Sequence, residues 1–279
     1  MNILAISDLH LGKTGVEQGI DWTTFFVEVL QRAHQMARTR DYDVLYFGGD
    51  AAEKADTRDP ASNLKEAIRL LSEIPIAQKL WVMGNNDLEC LSGPLDTYSE
   101  EMQGLLGDRF HLLDAAPFQA GKVGFFGNIG GHNGSLWKPP AVSEPEVIAL
   151  EEEMIREDEI GWAAHFGPRA DLGPRQFYLM AQGRMLAHYR LLADMDQLVM
   201  GTHFVPSPDF VLYGQSPKYD WLNWFMGYDA MSLPLPFWED DRLSLGLTGH
   251  THRSASMFLG EVPVINVSGP EQPHWLHLE

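Results

Sequence analysis

Ile3 to Ile6 are all apolar, and the run closes on Ser7 and Asp8. The same shape recurs at "DVLYFGGD" (43–50), "QKLWVMGNND" (78–87), "DQLVMGTH" (196–203) and "LSLGLTGHTH" (243–252). A short, almost unbroken apolar run bounded by polar residues predicts a strand buried on both faces, with its polar tip where the chain emerges. Between the first three runs, "DWTTFFVEVLQRAHQMAR" (21–38) and "ASNLKEAIRLLSEI" (61–74) space their apolar residues as helices do, with Asp21 placed to cap the first. Strand alternating with helix predicts a layered α/β core with right-handed crossovers.

Farther along, "LDTYSEEMQGLL" (95–106) predicts a helix and "KVGFFGN" (122–128) a strand. Residues 130–174 are rich in glycine, proline and acidic residues and hold one predicted helix, "EPEVIALEEEMIREDEIG". Its run "EEEMIREDE" reads as a solvated helix face. A helix over about 174–193 leads into the fourth strand, and "LSLGLTGHTH", "ASMFLG" and "VPVINVSG" predict three closing strands. Nine aromatic residues lie between Phe210 and Trp238. Packing on the core is the ordinary role for such residues, and a substrate wall or a contact with a second copy of the chain are the alternatives. No internal repeat or glycine-serine linker divides the chain. The expectation is one domain over 1–279 with insertions at about 130–174 and 204–242.

Composition narrows the function. With 279 residues and 44% hydrophobic content the chain can bury a full core. Its formal charge of -19 argues against a long nucleic acid as partner, because a phosphate backbone meets a repulsive field. Cys90 is the single cysteine, so no disulfide forms within the chain. The opening "MNILAISD" carries no recognisable secretory signal, and no apolar stretch reaches the roughly 18 residues of a membrane span. A cytoplasmic enzyme with no membrane partner is expected.

Taken singly, an aspartate after a strand is a helix cap or turn, and a histidine is packed or solvated. Together, Asp8, His10, Asp50, Asn85, His203, His250 and His252 all fall at or just beyond the ends of apolar runs. In an α/β sheet such ends converge on one edge, where sites form. Carboxylate, amide and imidazole donors suit Mn, Fe, Zn or Co without a thiolate. His250 and His252, two apart, face the same way if the strand end stays extended. The spacing accommodates a binuclear site and leaves open which residue serves which ion.

These residues resemble a known family. "DLH" (8–10), "GGD" (48–50), "GNND" (84–87), "GTH" (201–203) and "GHTH" (249–252) match, in order, the five blocks of the calcineurin-like metallophosphoesterases. The resemblance implies an α/β fold, a four-layer α-β-β-α sandwich of two mixed sheets. It implies two divalent ions per chain (Mn, Fe, Zn or mixed), one held by Asp8, His10, Asp50 and His252. The other would be held by Asp50, Asn85, His203 and His250, with Asp50 bridging the pair. The implied reaction is hydrolysis of a phosphate ester by a metal-bridging hydroxide. A catalytically weak scaffold that keeps the fold and binds partners through the aromatic segment is the competing class; it has no need of these seven residues.

One position departs from the pattern. Many members carry histidine where this chain has Asn86, and an amide cannot give up a proton near neutral pH. The substitution weakens acid catalysis, so activated phosphodiesters are expected over monoesters. Asn86 and Asp87 are the candidate catalytic residues, Asp87 by steadying the loop. Asn86 and His132, with His165 as a further histidine in the first insertion, are candidates to meet the substrate, a small phosphate ester or a nucleotide. The aromatic segment is the candidate surface for a homo-oligomer.

Overall fold

The four-residue apolar runs are explained by what lies on each side of them. In the computed structural model, which describes residues 1–17, 19–141, 143–232 and 235–279, they form the middles of two stacked sheets. Val142, Leu233 and Pro234, within the two expected insertions, lie outside the described residues.

The first sheet holds β1 (Asn2–Ile6), β4 (Val44–Phe47), β5 (Gln78–Trp81) and β6 (His111–Leu112), all parallel. It is edged by antiparallel β13 (His274–His277). The second sheet holds β8 (Val123–Asn128), β9 (Gln197–Thr202), β10 (Leu243–Thr248) and β12 (Val262–Asn266), also parallel. Antiparallel β7 (Phe118–Ala120) and β11 (Ala255–Leu259) form its two edges. A two-stranded ribbon, β2 (Val16–Glu17) with β3 (Ile20–Asp21), stands apart.

Period-two alternation sorts every run between two cores. Leu4, Ile6, Leu45 and Phe47 face α1 (Trp22–Thr39) and α2 (Ser62–Ser72), meeting Phe25, Phe26, Leu64 and Leu71. Ile3, Ala5, Val44 and Tyr46 face the other way, onto Phe125, Val199, Leu245 and Leu247 of the second sheet. The far face of that sheet packs Phe126, Leu198 and Met200 against Met185 of α6 (Pro174–Arg190). Each fully buried large side chain contributes about 1.5–3 kcal/mol. The result is an α-β-β-α sandwich of two mixed sheets.

Asp21 caps α1, accepting from the Thr23 amide at 3.1 Å. α4 (Tyr98–Leu106) covers β6, and α5 (Glu144–Phe166) leaves its acidic run largely exposed. The aromatic segment folds as short 3-10 turns and the brief α7 (Pro217–Leu222). Phe210, Tyr228, Phe237 and Trp238 are buried in the outer layer over the second sheet. Several elements differ from the sequence expectation, and β2, β3, β6 and β7, each two or three residues long, carry no pattern to predict. Four strands close the chain rather than three, because edge strand β13 alternates half-buried and exposed residues and lacks the unbroken apolar signal. α3 (Asn85–Cys90) begins inside "GNND", a stretch for which no helix is expected from the sequence. α6 stops at Arg190, short of residue 193.

A buried carboxylate joins the layers near the strand tips. Asp114 Oδ2 accepts from the Met83 amide at 2.9 Å, just after β5. Its Oδ1 accepts from the Ile129 amide, just after β8, and from the Tyr98 hydroxyl of α4, each at 2.8 Å. The tips of both sheets are thereby held in register beside the cluster described next.

Candidate metal centre

All the parallel strands end on the same side, and their loops stay paired beyond the sheets. The amides of Asp8, His10 and Leu11 donate to the carbonyls of Gly49, Asp50 and Ala51 at 2.8, 3.0 and 2.9 Å. Keeping this pairing while turning side chains inward demands unusual backbone. Asp8, His10, Asp50, His250 and His252 have φ between 47° and 73°, and they are the only non-glycine residues at positive φ among those described. Left-handed backbone at such residues costs about 1–3 kcal/mol each and concentrates at functional sites. Gly84 allows the third loop to close in: a Cβ there would lie 2.1 Å from Asp50 Oδ1.

Two groups of side chains result. Donor atoms of Asp8, His10 and His252 lie within 4.8 Å of one another, as do those of Asp50, His203 and His250. Asp50 Oδ2 stands between the groups, 3.8 Å from His10 Nε2 and 3.4 Å from His203 Nε2. Asn85 Oδ1 is 3.1 Å from His203 Nε2. His250 and His252 are not on an extended strand end: at φ 73° and 53° they turn apart, one into each group. That corrects the expectation that they face the same way.

The donor set fits cations. His203 Nδ1 donates to the Gly48 carbonyl at 2.8 Å, so in the neutral ring Nε2 is a lone pair aimed at two further acceptors, Asp50 Oδ2 and Asn85 Oδ1. His10 Nδ1 is held 2.9 Å from Glu53 Oε1, and its Nε2 faces His252 Nε2 at 2.9 Å. His250 Nε2 is buried without a hydrogen-bond partner among the described residues. Converging lone pairs repel unless something positive sits among them. A proton satisfies one nitrogen; a divalent cation satisfies the whole group.

Titration follows the same logic. Burial alone would lower His203, but the Asp50 and Asp8 charges override it and push it up to about 10. Burial and the His203 charge then drive His250 down to about 3, and burial with His10 drives His252 to about 2. Burial would raise Asp50, yet His203 holds it well below the usual carboxylate range. Burial raises Asp8, with Asp50 adding to the shift.

The two residues of the third loop behave differently. Asp87 is fully buried and accepts from the amides of Asp50, Ala51 and Gly84 at 3.1, 2.8 and 3.1 Å. Burial and the Asp50 charge push it up to about 7. Asn86 donates its amide to Asp50 Oδ1 at 2.8 Å, and its side-chain oxygen accepts from Asn85 Nδ2 at 2.5 Å.

Two clefts open on the cluster, and Asn85, Leu222, Met226 and His250 line both. The first, of about 360 Å³, runs toward α5 and α6; the second, of about 280 Å³, exposes His10, Asp50, Asn86 and His252. His132 lies on the wall of the first, its Nε2 3.0 Å from Asp158 and its ring against Phe204 and Phe225. His165 is 61% exposed at the mouth, 3.3 Å from Glu89. Several contributors carried no signal of their own in the sequence. Glu53 and Asp158 act through histidines distant in the chain, and Ser7, which donates to Asp8 Oδ2, reads only as the end of a strand.

The calcineurin-like phosphoesterase family model matches residues 1–254. No curated protein sequence matches the chain. Among solved structures, the fold is similar to that of the phosphopantetheinyl hydrolase of Mycobacterium tuberculosis, at 18% identity and TM-score 0.62, covering 96% of this chain and 90% of that one. A dimetal phosphatase from Danio rerio is similar at 12% identity and TM-score 0.60, with 96% and 87% covered. A third similar structure, from Thermus thermophilus, gives 15% identity, TM-score 0.54, and 96% and 89% coverage. With the family model matching residues 1–254, and with Asp8, His10, His252, Asp50, His203 and His250 gathered in two groups at one edge of the sandwich, the chain belongs to the calcineurin-like phosphoesterases.

Proposed function

We propose that the protein hydrolyses phosphodiesters in preference to monoesters, using two divalent cations. The observation that carries the reading is the placement of one oxygen, Asp50 Oδ2, within 4 Å of a histidine from each group. Asp8, His10 and His252 would hold one cation, and Asn85, His203 and His250 the other, with Asp50 shared. Bound there, such ions supply Lewis acidity and lower the pKa of water. Nitrogen and oxygen donors accept Mn, Fe and Zn alike.

The chain's own groups supply the rest. Asp87 fixes the Asp50 and Gly84 amides, and so the position of the shared carboxylate. Asn86 lines the second cleft and offers hydrogen bonds without a transferable proton. Such a site favours a leaving group that departs unprotonated. Two clefts diverging from Asn85 and His250 support a diester, which has two substituents to place where a monoester has one. The formal charge of -19 supports a small ester or nucleotide over a long nucleic acid.

The test is metal analysis and turnover on the same preparations. Wild type is expected to carry two ions per chain and to cleave bis(4-nitrophenyl) phosphate faster than 4-nitrophenyl phosphate. Asp50→Ala is expected to lose both ions and His252→Ala one. Equal loss in the two variants sinks the shared role of Asp50, and faster monoester turnover sinks the diester preference.

A further inference from the structure

The two clefts differ in chemistry. The first is walled by Ile129, Phe177, Phe204 and Phe225. Its polar wall is acidic, with Glu89, Glu157 and Asp158, and no lysine or arginine lines it among the described residues. His132 and His165 face Asp158 and Glu89, and Glu157 has no ion-pair partner among the described residues. The second cleft carries Lys13 and Arg253. Lys13 pairs with Glu17 at 2.9 Å, while exposed Arg253 has no ion-pair partner among the described residues.

We infer that the two substituents of the substrate are unlike: an apolar group without negative charge enters the first cleft, and the polar or anionic remainder lies in the second. The inference rests on the phosphodiester reading above and adds the substrate's direction. An apolar wall takes a hydrocarbon group readily. A 150 Å³ cavity holds benzene, so about 360 Å³ admits a group roughly twice that size. The carboxylates disfavour an anion there, because like charges on the wall of one cleft repel. Continuity with the cluster through Asn85 and His250 makes the cleft part of the same site.

Binding of methyl phosphonates, whose P–C bond resists hydrolysis and whose methoxide is a poor leaving group, to the metal-loaded protein tests this ahead of turnover. Methyl benzylphosphonate is expected to bind at least tenfold more tightly, by calorimetry, than methyl (4-carboxybenzyl)phosphonate. Phe225→Ala should weaken the benzyl ligand at least fivefold more than it weakens methyl methylphosphonate. Glu157→Lys, at an exposed position that leaves the core untouched, should close most of the gap between the benzyl and carboxybenzyl ligands. Equal affinity for those two ligands in wild type, or a gap that Glu157→Lys leaves unchanged, overturns the inference. Cleavage of bis(4-nitrophenyl) phosphate with no preference among the phosphonates also overturns it while leaving the diesterase standing. The expected phosphonate ranking without any hydrolysis keeps the cleft assignment and removes the enzymatic reading instead.

Discussion

Asn86 sits where an acid is absent, and its consequence is measurable. General acid catalysis is worth about 10²- to 10⁴-fold and matters most for basic leaving groups. The wild-type dependence of kcat/KM on leaving-group pKa should therefore be steep, and Asn86→His should flatten it by accelerating the poorest leaving groups most. A shallow wild-type slope would point to another proton source, and His132, held by Asp158 in the adjoining cleft, is the residue to replace next. The left-handed residues make a second prediction. At φ 47°, His10 is strained as any residue with a Cβ is, by about 1–2 kcal/mol. His10→Gly should thus leave the metal-free protein more stable than His10→Ala, although both remove the same ring. Chemical denaturation in chelator checks this; a less stable glycine variant refutes the strain. All seven cluster residues were legible as polar tips because they follow strands buried on both faces. The backbone strain of five of them was not, since positive φ leaves no mark when the residue is not glycine.

At the level of elements, the link through Asp114 sets a pH dependence. Burial raises its carboxyl from the ordinary 3.8 to about 6, against the lowering effect of the Met83 and Ile129 amides. The folded state therefore binds this proton more tightly than the unfolded state does. Its contribution to stability is greatest at low pH and falls as pH rises from about 4 to 6, by about 3 kcal/mol. Measured as the difference between wild type and Asp114→Asn, stability should decline across that window, because other carboxyls cancel. Asp114→Asn itself should be destabilised at every pH, as its amide nitrogen must face a donor, Met83 N–H or the pair from Ile129 and Tyr98. A difference flat from pH 4 to 6 excludes the shift. In sequence, "LLDAAP" reads as a turn, and nothing local marks an aspartate that bridges two sheets. The acidic face of α5 misled in a milder way. Most of it is solvated as expected, and only the fold brings Glu157 and Asp158 to a cleft.

Across the whole molecule, the pairing of groups has a mechanical side. Asp8 and His10 follow β1 of the first sheet, while His252 follows β10 of the second. Asp50 likewise comes from the first sheet, and His203 and His250 from the second. Each candidate group therefore spans the two sheets, and a cation held there acts as a rivet through the sandwich. Without it the sheets are joined at this edge by apolar packing, the Asp114 link and hydrogen bonds such as His203 Nδ1 to the Gly48 carbonyl and the His250 amide to Asp8. Metal at 100 times its Kd adds about 2.7 kcal/mol per site to folding. The distinctive expectation concerns where that stability goes. Amides of β1 and β4 should slow their hydrogen exchange together with those of β9 and β10 when metal is added, and speed up together in chelator. Protection confined to the loops would mean the ions tidy the edge without joining the sheets. If the rivets hold, an enzyme stripped of its ions loses more than its reactive centre: the seam between its halves loosens at one edge, and reloading must tighten it again.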